Sequence, residues 1–323
     1  MVLDPYANVR WKHVESHLAN FHAHTSNEPT DGHSGADAPE SVIDEYAAAG
    51  YSVLALTEHE YNVTEPTWPW TDWDRDPEEL EMIALQGVEL TVDTGSGGFA
   101  HDVLSLETDL ASSEGMDVSD VLAEIDDRGG AAILPHPGRY HEPDERGFYE
   151  RFVIRPYVLG LEVVNATDRY PTDRELWDAL LTDLGGDHLV WGFANDDYHG
   201  RDQPYGFDNA RNVLLLEELT PDAVREALRA GRFYTQQRTE GAQVDPPRIE
   251  SIVLDPDEET ITLEPVESGR EVRIEWIADG MPISEGPTMS YGDVEVGYAR
   301  GRVSGPGGVA RTQPFGIGGR KQR

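Results

Sequence analysis

The sequence predicts an α/β protein with a parallel β-sheet, open or closed into a barrel, in residues 1–242 and a small antiparallel β-sandwich in residues 243–323. Two patterns support this division. From about residue 19 to 235, short apolar runs alternate with amphipathic stretches, as in strands that are joined by helices. After residues 241–248, apolar and polar residues alternate with a period of two, and no helix pattern occurs.

Seven apolar runs are the strand candidates of the first part, at residues 19–24, 51–59, 82–90, 101–106, 131–137, 159–165 and 188–196. Helix candidates lie between and after them, at residues 39–50, 117–130, 172–186 and 220–233. Pro39 stands in the first turn of the first helix, and Gly50 follows its last turn. Thr172 stands at the start of the third helix candidate, and Gly185 stands at its end. Proline or a capping residue at the start and glycine after the end are typical of helices.

The second part contains the segments RIESIVL, TITLEPV, EVRIEWIADG, DVEVGYARGRV and ARTQPFGI, with glycine, proline and aspartate turns between them. This pattern is typical of an antiparallel β-sandwich, and we place the boundary near residue 243. Residues 244–323 contain no histidine and no cysteine. We therefore expect this part to be a structural companion of the first and not a second catalytic unit.

The chain is strongly acidic, with 62 acidic and 25 basic side chains and a net charge of −37. Only Lys12 and Lys321 are lysines. Apolar residues make up 38% of the chain and can fill a core, which argues against disorder. Molar salt shortens the Debye length to roughly 3 Å and screens the repulsion between carboxylates. The composition resembles that of proteins from extreme halophiles, so we expect a salt-rich cytoplasm.

The composition excludes several classes of protein. Without cysteine, the chain cannot form a disulfide, a thiolate zinc site or a cysteine nucleophile. The first residues show no apolar signal-peptide segment, and no run of about 18 apolar residues occurs, so we expect a cytoplasmic protein without membrane contact. No basic stripe could follow a nucleic-acid backbone, so we expect no stable binding of duplex nucleic acid. The oligomeric state stays open.

His22 and His24 form a His-x-His pair on the first strand candidate. Residues i and i+2 of a strand face the same way, about 7 Å apart. Both imidazoles can therefore reach one metal ion. In isolation, the same pair could equally be two half-buried histidines that form ordinary hydrogen bonds.

The pair is not isolated, because further metal-ligand residues end or follow successive strand candidates. They are His59 in Thr57-Glu58-His59, Glu89 in Gly87-Val88-Glu89, His101, His136 in Leu134-Pro135-His136-Pro137, Asp197 and His199. The carboxyl ends of parallel strands meet at one end of a sheet or barrel, where barrel enzymes place their sites. The sequence therefore predicts that these side chains converge on a metal site.

These motifs resemble those of the polymerase-and-histidinol-phosphatase (PHP) superfamily. The resemblance rests on FHAHT, the following Asp31-Gly32, LTEH, GVE, His101, LPHP and DDYH, in that order over about residues 18–235. A β-sandwich ending in ARTQPFGI after such a domain looks like the CehA/McbA-type branch. The resemblance implies a distorted seven-stranded (β/α) TIM-like barrel with two or three divalent ions, either zinc, manganese or iron.

The resemblance also implies the role of each ligand. His22, His24 and Asp197 would hold the first metal, and Glu89 would bridge it to a second metal. His101 and His136 would complete the second site, and a third would take Asp31, His59 and His199. The gap between His24 and Asp31 is two residues longer than is usual in the family, so His33 is an alternative to Asp31.

We predict catalytic roles for Glu89, His199 and Arg139. Arg139 and Arg201 each follow a ligand histidine closely. Either could hold a second phosphate group of a substrate, or form only a surface ion pair.

The function implied is hydrolysis of a phosphoester in a small phosphorylated substrate, such as a nucleotide or short oligonucleotide. Two cations about 3.5–4 Å apart can share a water molecule, hold it as hydroxide and neutralise phosphoryl oxygens. The same metals could instead act on a carbonyl centre, in an amide, ester or carbamate. A third alternative is a catalytically silent metal-binding module.

Overall fold

The computed structural model describes residues 2–26, 35–60, 67–93, 100–140, 145–201, 206–267, 269–292, 294–295 and 297–318. Helices in these ranges are α1 (Pro39–Ala48), α2 (Val118–Asp127), α3 (Glu145–Val153), α4 (Asp173–Leu184) and α5 (Pro221–Ala230). Strands up to residue 240 are β1 (Val2–Leu3), β2 (Glu15–Asn20), β3 (Tyr51–Leu56), β4 (Ile83–Asp93), β5 (Ala100–Leu106), β6 (Ala131–Leu134), β7 (Val158–Asn165), β8 (Trp191–Asn195), β9 (Ala210–Leu216) and β10 (Phe233–Arg238). Later strands are β11 (Ile249–Asp255), β12 (Thr260–Pro265), β13 (Arg273–Ala278), β14 (Met281–Glu285), β15 (Thr288–Ser290), β16 (Tyr298–Gly305), β17 (Gly308–Thr312) and β18 (Phe315–Ile317).

Seven strands, β2 to β8, lie side by side in chain order within one large sheet. The pairs β2–β3, β3–β4, β6–β7 and β7–β8 are parallel, whereas β5 runs antiparallel to both β4 and β6. The prediction of a parallel arrangement is therefore wrong for β5. Only six residues separate β4 from β5, and a parallel crossover needs a dozen or more. The fold is a mixed α/β fold with a sheet rich in parallel pairs.

No strand pairing closes this sheet within the described residues, so the seven-stranded barrel stays a prediction. The first and last of the seven strands nevertheless approach each other. Beyond their ends, Ala23 and Tyr198 form an isolated parallel bridge. Asn212 of β9 also links them, because its Nδ2 donates to the carbonyl oxygens of Ala19, at 3.4 Å, and Ala194, at 2.8 Å. The carboxyl ends of β2 and β8 are thus held together.

The helix ends show the expected capping. Asp117 accepts a hydrogen bond from the backbone N–H of Asp120 in a capping box before α2, and Thr220 caps α5 through the N–H of Ala223. Gly185 ends α4 in the left-handed region at φ 66°, a conformation that favours glycine. Apolar faces of α2, α3 and α4 pack on β4 to β8 in one core cluster that includes Trp177. The core thus lies between the helices and the strands whose ends carry the site.

The large sheet continues beyond residue 243. Strand β10 pairs with β17, which pairs with β16, and β16 pairs with β13 and β18. A second sheet, β11–β12–β15, shares a core cluster with this extension, which includes Tyr234 of β10 and Trp276 of β13. The N-terminal strand β1 also pairs with β18. The domain boundary near 243 and the sandwich stay predictions, and hydrogen bonds cross that boundary.

The described α-helices contain 9 to 12 residues each. Among them, none is long and apolar enough to cross a membrane.

Candidate metal centre

Two isolated bridges bring the ligand motifs together beyond the strand ends. Ala23 pairs with Tyr198, and the N–H of His24 donates to the carbonyl of Tyr198 at 2.8 Å. Neighbours of a bridged residue share one face, so His22 and His24 lie beside Asp197 and His199. The second bridge pairs His59 with Glu89. Backbone pairing thus positions six of the predicted ligand side chains.

Glu89 lies at the centre of the resulting cluster and is fully buried. Its Oε1 lies 3.4 Å from His22 Nε2 and 3.1 Å from His136 Nε2. Its Oε2 lies 3.4 Å from His24 Nε2 and 2.7 Å from His59 Nδ1. One carboxylate therefore faces four imidazoles, two on each oxygen, which is the placement expected of a bridging ligand.

Asp197 approaches the same centre from the other side. Its Oδ1 lies 3.3 Å from His22 Nε2, 3.4 Å from His24 Nε2 and 3.5 Å from His199 Nδ1. Three groups of possible ligand atoms result, each within 4.8 Å, namely His22–His24–Asp197, His22–Glu89–His136 and His24–His59–His199. Seven of the nine predicted ligands fall into these groups.

The two carboxylates of the cluster are ionised. Burial alone would raise the pKa of Glu89, but His22 and His59 outweigh it and hold that pKa well below its usual range. The pKa of Asp197 is likewise well below its usual range, because His22 and a hydrogen bond from His24 outweigh burial. Both carboxylates are therefore charged at neutral pH, in a site from which water is largely excluded.

The donor set fits divalent ions. Glu89 Oε2 is buried and has no hydrogen-bond partner among the described residues, although two imidazoles lie within 3.4 Å. An unsatisfied buried carboxylate oxygen is costly, and a metal ion would satisfy it. Imidazole nitrogens together with carboxylate oxygens suit zinc, iron or manganese better than magnesium.

His199 and His59 lie at the more open side of the cluster, with side chains 13% and 7% exposed. Burial and the neighbouring His24 lower the pKa of His199 to about 4. Its imidazole is therefore neutral at pH 7, the form that binds metals.

Two of the predicted ligand residues have unusual backbone conformations. His136 has φ 28° and Asp197 has φ 47°. Non-glycine residues rarely occupy this region, and such conformations cost on the order of 1–3 kcal/mol. They occur mostly at functional sites, where the surrounding structure imposes them.

The other two predicted ligands are not in these groups. His101, on β5, is buried and stacks on Phe148 with a centroid distance of 4.1 Å, and its Nδ1 lies 3.2 Å from Tyr149 Oη. Its role as a ligand stays a prediction. Asp31 and its alternative His33 lie outside the described residues.

Glu162 is a site residue that the sequence analysis missed. It is fully buried on β7, and its carboxylate faces four donors. Oε1 lies 2.9 Å from His22 Nδ1 and 2.8 Å from Asn195 Nδ2, and Oε2 accepts from Asn165 Nδ2 at 2.9 Å and the N–H of His136 at 3.0 Å. An ionised carboxylate only accepts hydrogen bonds, so His22 carries its proton on Nδ1. Nε2 is then the His22 nitrogen that faces Glu89 and Asp197.

A hydrogen-bonded tyrosine and carboxylate orient His136 in a similar way. The hydroxyl of Tyr140 donates to Asp102 Oδ2 at 2.5 Å and lies 3.2 Å from His136 Nδ1. Because the Tyr140 hydroxyl donates its hydrogen to Asp102, its oxygen can only accept a hydrogen bond from His136 Nδ1–H. The other ring nitrogen of His136, Nε2, faces Glu89. Carboxylates that orient ligand histidines in this way are typical of metal sites.

The predicted arginines differ in position. Arg139 has a side chain 41% exposed, and its Nη1 lies 3.2 Å from Asp102 Oδ2, one step from His136. Arg201 pairs with Glu45 and is 71% exposed. Arg169, which the sequence analysis missed, lies with Nη1 4.0 Å from Asp197 Oδ2 and stacks over Tyr170. Among the described residues, Arg139 and Arg169 are two arginines that lie beside the cluster.

Comparison with solved structures identifies a similar fold. A two-domain protein from Bacteroides vulgatus ATCC 8482, described as containing a predicted PHP-like metal-dependent phosphoesterase, aligns with 97% of this chain and 89% of its own. The TM-score is 0.55 at 16% identity. The two chains share a fold.

A second similar structure is an amidohydrolase from Chromobacterium violaceum with bound sulfate and no metal. It aligns with 67% of this chain and 96% of its own, with a TM-score of 0.45 at 17% identity. No family model matches the sequence, and no curated protein matches it.

Proposed function

We propose that this chain is a metal-dependent phosphoesterase of the PHP superfamily, CehA/McbA-like branch, that hydrolyses a small phosphorylated substrate such as a nucleotide or short oligonucleotide. The main support is the buried centre in which Glu89 faces His22, His24, His59 and His136. The shared fold with a PHP-like protein is consistent with this proposal.

Two or three divalent ions, either zinc, manganese or iron, would be held by the ligand groups around Glu89. When bound, such ions activate water for attack and neutralise the oxygens of a phosphoryl group. His22, His24 and Asp197 would hold one ion, and His136 with Glu89 another. The third group, His24–His59–His199, is the more exposed one.

The residues around the ligands have separate tasks. Glu162 and the Tyr140–Asp102 pair fix the imidazoles of His22 and His136. Arg139 and Arg169 lie beside the cluster and could bind non-reacting oxygens of the substrate, since guanidinium groups match phosphate geometry. Two cations at the site of so acidic a protein favour an anionic substrate over a neutral ester or amide.

Location and origin form part of the same proposal. The excess of carboxylates and the scarcity of lysine support a cytoplasmic enzyme of a halophile. Residues 243–323 would then support the catalytic part without adding groups to its centre.

The test uses the full chain, purified in molar salt without chelator. Elemental analysis should find at least two transition-metal ions per chain. The protein should hydrolyse p-nitrophenyl phosphate or bis-p-nitrophenyl phosphate, and it should leave p-nitrophenyl acetate intact. The variant His13→Ala, which changes an exposed histidine, serves as the matched control and should retain both metals and rate.

Each other outcome contradicts the proposal in its own way. Hydrolysis of the acetate alone would indicate a carbonyl-centre hydrolase, the alternative of an amide, ester or carbamate substrate. Bound metals without any turnover would indicate a silent metal-binding module. Less than one metal ion per chain would overturn the metal centre itself.

A further inference from the structure

A cavity of about 550 Å³ lies between the first turns of α4 and the strands that follow residue 243. Five of its lining residues are arginines, in a chain that has few cations, and they are Arg146, Arg174, Arg300, Arg302 and Arg311. None of the seven grouped metal ligands lines it. Three carboxylates, Glu175, Asp178 and Asp279, line it as well, so the cavity brings together charges of both signs with arginines in excess.

Three of these arginines share one face of the large sheet. Arg300 and Arg302 are two residues apart on β16, and Arg302 lies directly opposite Arg311 on β17. Like charges that face each other across two strands destabilise a sheet. This arrangement needs a compensating negative charge.

Carboxylates compensate four of the five cations. Asp178 forms a two-pronged pair with Arg300 at 2.8 and 2.7 Å, and Glu275 lies 2.7 Å from Arg302. Arg146 pairs with Asp183 and Arg174 with Asp168.

Arg311 differs from the other four. It is 6% exposed, and among the described residues no carboxylate lies within ion-pair distance of it. Its Nη2 donates to the neutral Gln237 Oε1 at 2.7 Å, whereas its Nη1 is buried and has no hydrogen-bond partner in the described part of the chain. The Nη1 of Arg300 also has no hydrogen-bond partner among the described residues, but that guanidinium group lies over the Trp177 ring, 4.8 Å from its centroid.

A buried and unpaired guanidinium is costly, because it loses water without gaining a counter-charge. Burial and the adjacent Arg174 and Arg300 lower the pKa of Arg311 to about 9, and the more distant Asp168 opposes this shift only in part. Arginine nevertheless stays protonated in proteins. The field at Arg311 therefore favours an anion.

We propose that this cavity binds a small molecule through an oxyanion group, phosphate or carboxylate, that pairs with the guanidinium group of Arg311. Planar guanidinium groups match both kinds of oxyanion. Pro171, Ala179 and Met281 line the cavity and leave an apolar wall for the rest of the molecule. This site does not depend on the activity proposed for the metal centre.

The site is connected to the metal centre by sequence. Pro171 and Arg174 line the cavity, and Arg169, two residues before Pro171, lies 4.0 Å from Asp197. A ligand in the cavity would therefore contact the segment that also carries Arg169.

Isothermal titration of the metal-loaded full chain, with inorganic phosphate and separately with malonate, tests the proposal. The wild type should bind at least one of them at a site that Arg311→Gln weakens at least tenfold, since a charged hydrogen bond is lost. Phosphate that binds only at the metal centre would bind the variant equally well. Arg128→Gln, which changes a surface pair with Glu124, is the matched control and should bind like the wild type.

A second measurement does not depend on binding. Without phosphate or malonate, Arg311→Gln should melt at the same temperature as the wild type or higher, because it removes an unpaired buried charge. If it does not fold, Arg311→Lys keeps the charge, loses the planar fork and should still weaken binding. Equal binding by wild type and Arg311 variants, or no binding of either anion, overturns the proposal. Phosphate binding without malonate binding assigns the site to phosphorylated molecules, and the reverse assigns it to carboxylates.

Discussion

Glu162 Oε1 lies 2.9 Å from His22 Nδ1, and the other three hydrogen bonds of that carboxylate in the described part of the chain also come from donors. A glutamine at this position would turn one of its two oxygens into an N–H₂ group that faces donors. We expect Glu162→Gln to weaken metal binding about 10- to 100-fold, as losses of such supporting groups do. Metal affinity is measured by competition with a chelator, and circular dichroism checks the fold. Unchanged affinity in a folded variant would contradict the orienting role.

Glu89 faces four histidines, so its loss should affect every metal position that it contacts. We expect Glu89→Gln to fold and to lose more than nine tenths of the turnover of a phosphate ester. Glu114→Gln, which changes an exposed glutamate, is the control. A Glu89→Gln variant that keeps a tenth or more of the wild-type kcat would show that this carboxylate does not bridge.

Asp173 should make stability depend on pH. It is buried at the start of α4, its Oδ1 accepts from the N–H of Gly138 at 2.6 Å, and its Oδ2 has no partner among the described residues. Burial raises its pKa to about 8. The folded state therefore holds this proton more tightly than the unfolded state, and stability from this group falls as pH rises from about 4 to about 8.

The variant Asp173→Asn resembles the protonated side chain and should remove this dependence. Between about pH 4 and about pH 8, the free energy of unfolding of the wild type should fall by roughly 1.4 kcal/mol per pH unit relative to that of the variant. Denaturant unfolding at pH 5, 7 and 9 measures the difference. The control Asp187→Asn changes an exposed carboxylate. A constant difference between Asp173→Asn and wild type at all three values would contradict the assignment.

The net charge of −37 predicts a dependence on salt. Repulsion between carboxylates is strongest at low ionic strength and is screened in molar salt. We expect the melting temperature to rise between dilute buffer and molar KCl, and to rise equally in NaCl of the same strength. A melting temperature that does not change with salt would remove the argument for a halophilic protein.

Much of the first part could be predicted from the sequence, because its strands and helices have clear periodicity and end signals. The helices predicted over 39–50, 117–130, 172–186 and 220–233 are α1, α2, α4 and α5. Helix α3 was not predicted, since its nine residues are short and rich in aromatic and charged side chains. The direction of β5 and its pairing with β4 and β6 depend on the short connection between β4 and β5. A pattern of apolar residues predicts a strand but does not predict its direction.

The ligand positions could be predicted because histidines at strand ends stand out. Glu162 was missed because it lies inside the apolar run LGLEVVN, where it was counted as part of a strand. A lone carboxylate in a fully buried strand was the available signal, since such a charge needs partners. Arg169 was missed because its approach to Asp197 depends on the loop after β7, and no pattern in the sequence indicates that loop's path.

The pairing of β10 with β17, and of β1 with β18, has a consequence for biosynthesis. When β10 leaves the ribosome, its partner strand is still some 70 residues from being made. The nascent chain therefore exposes an open strand edge beside apolar side chains such as Tyr234, and open edges invite pairing with other chains. Molar salt screens the repulsion between the carboxylates of neighbouring nascent chains, so this edge stays open to other chains until β17 is made.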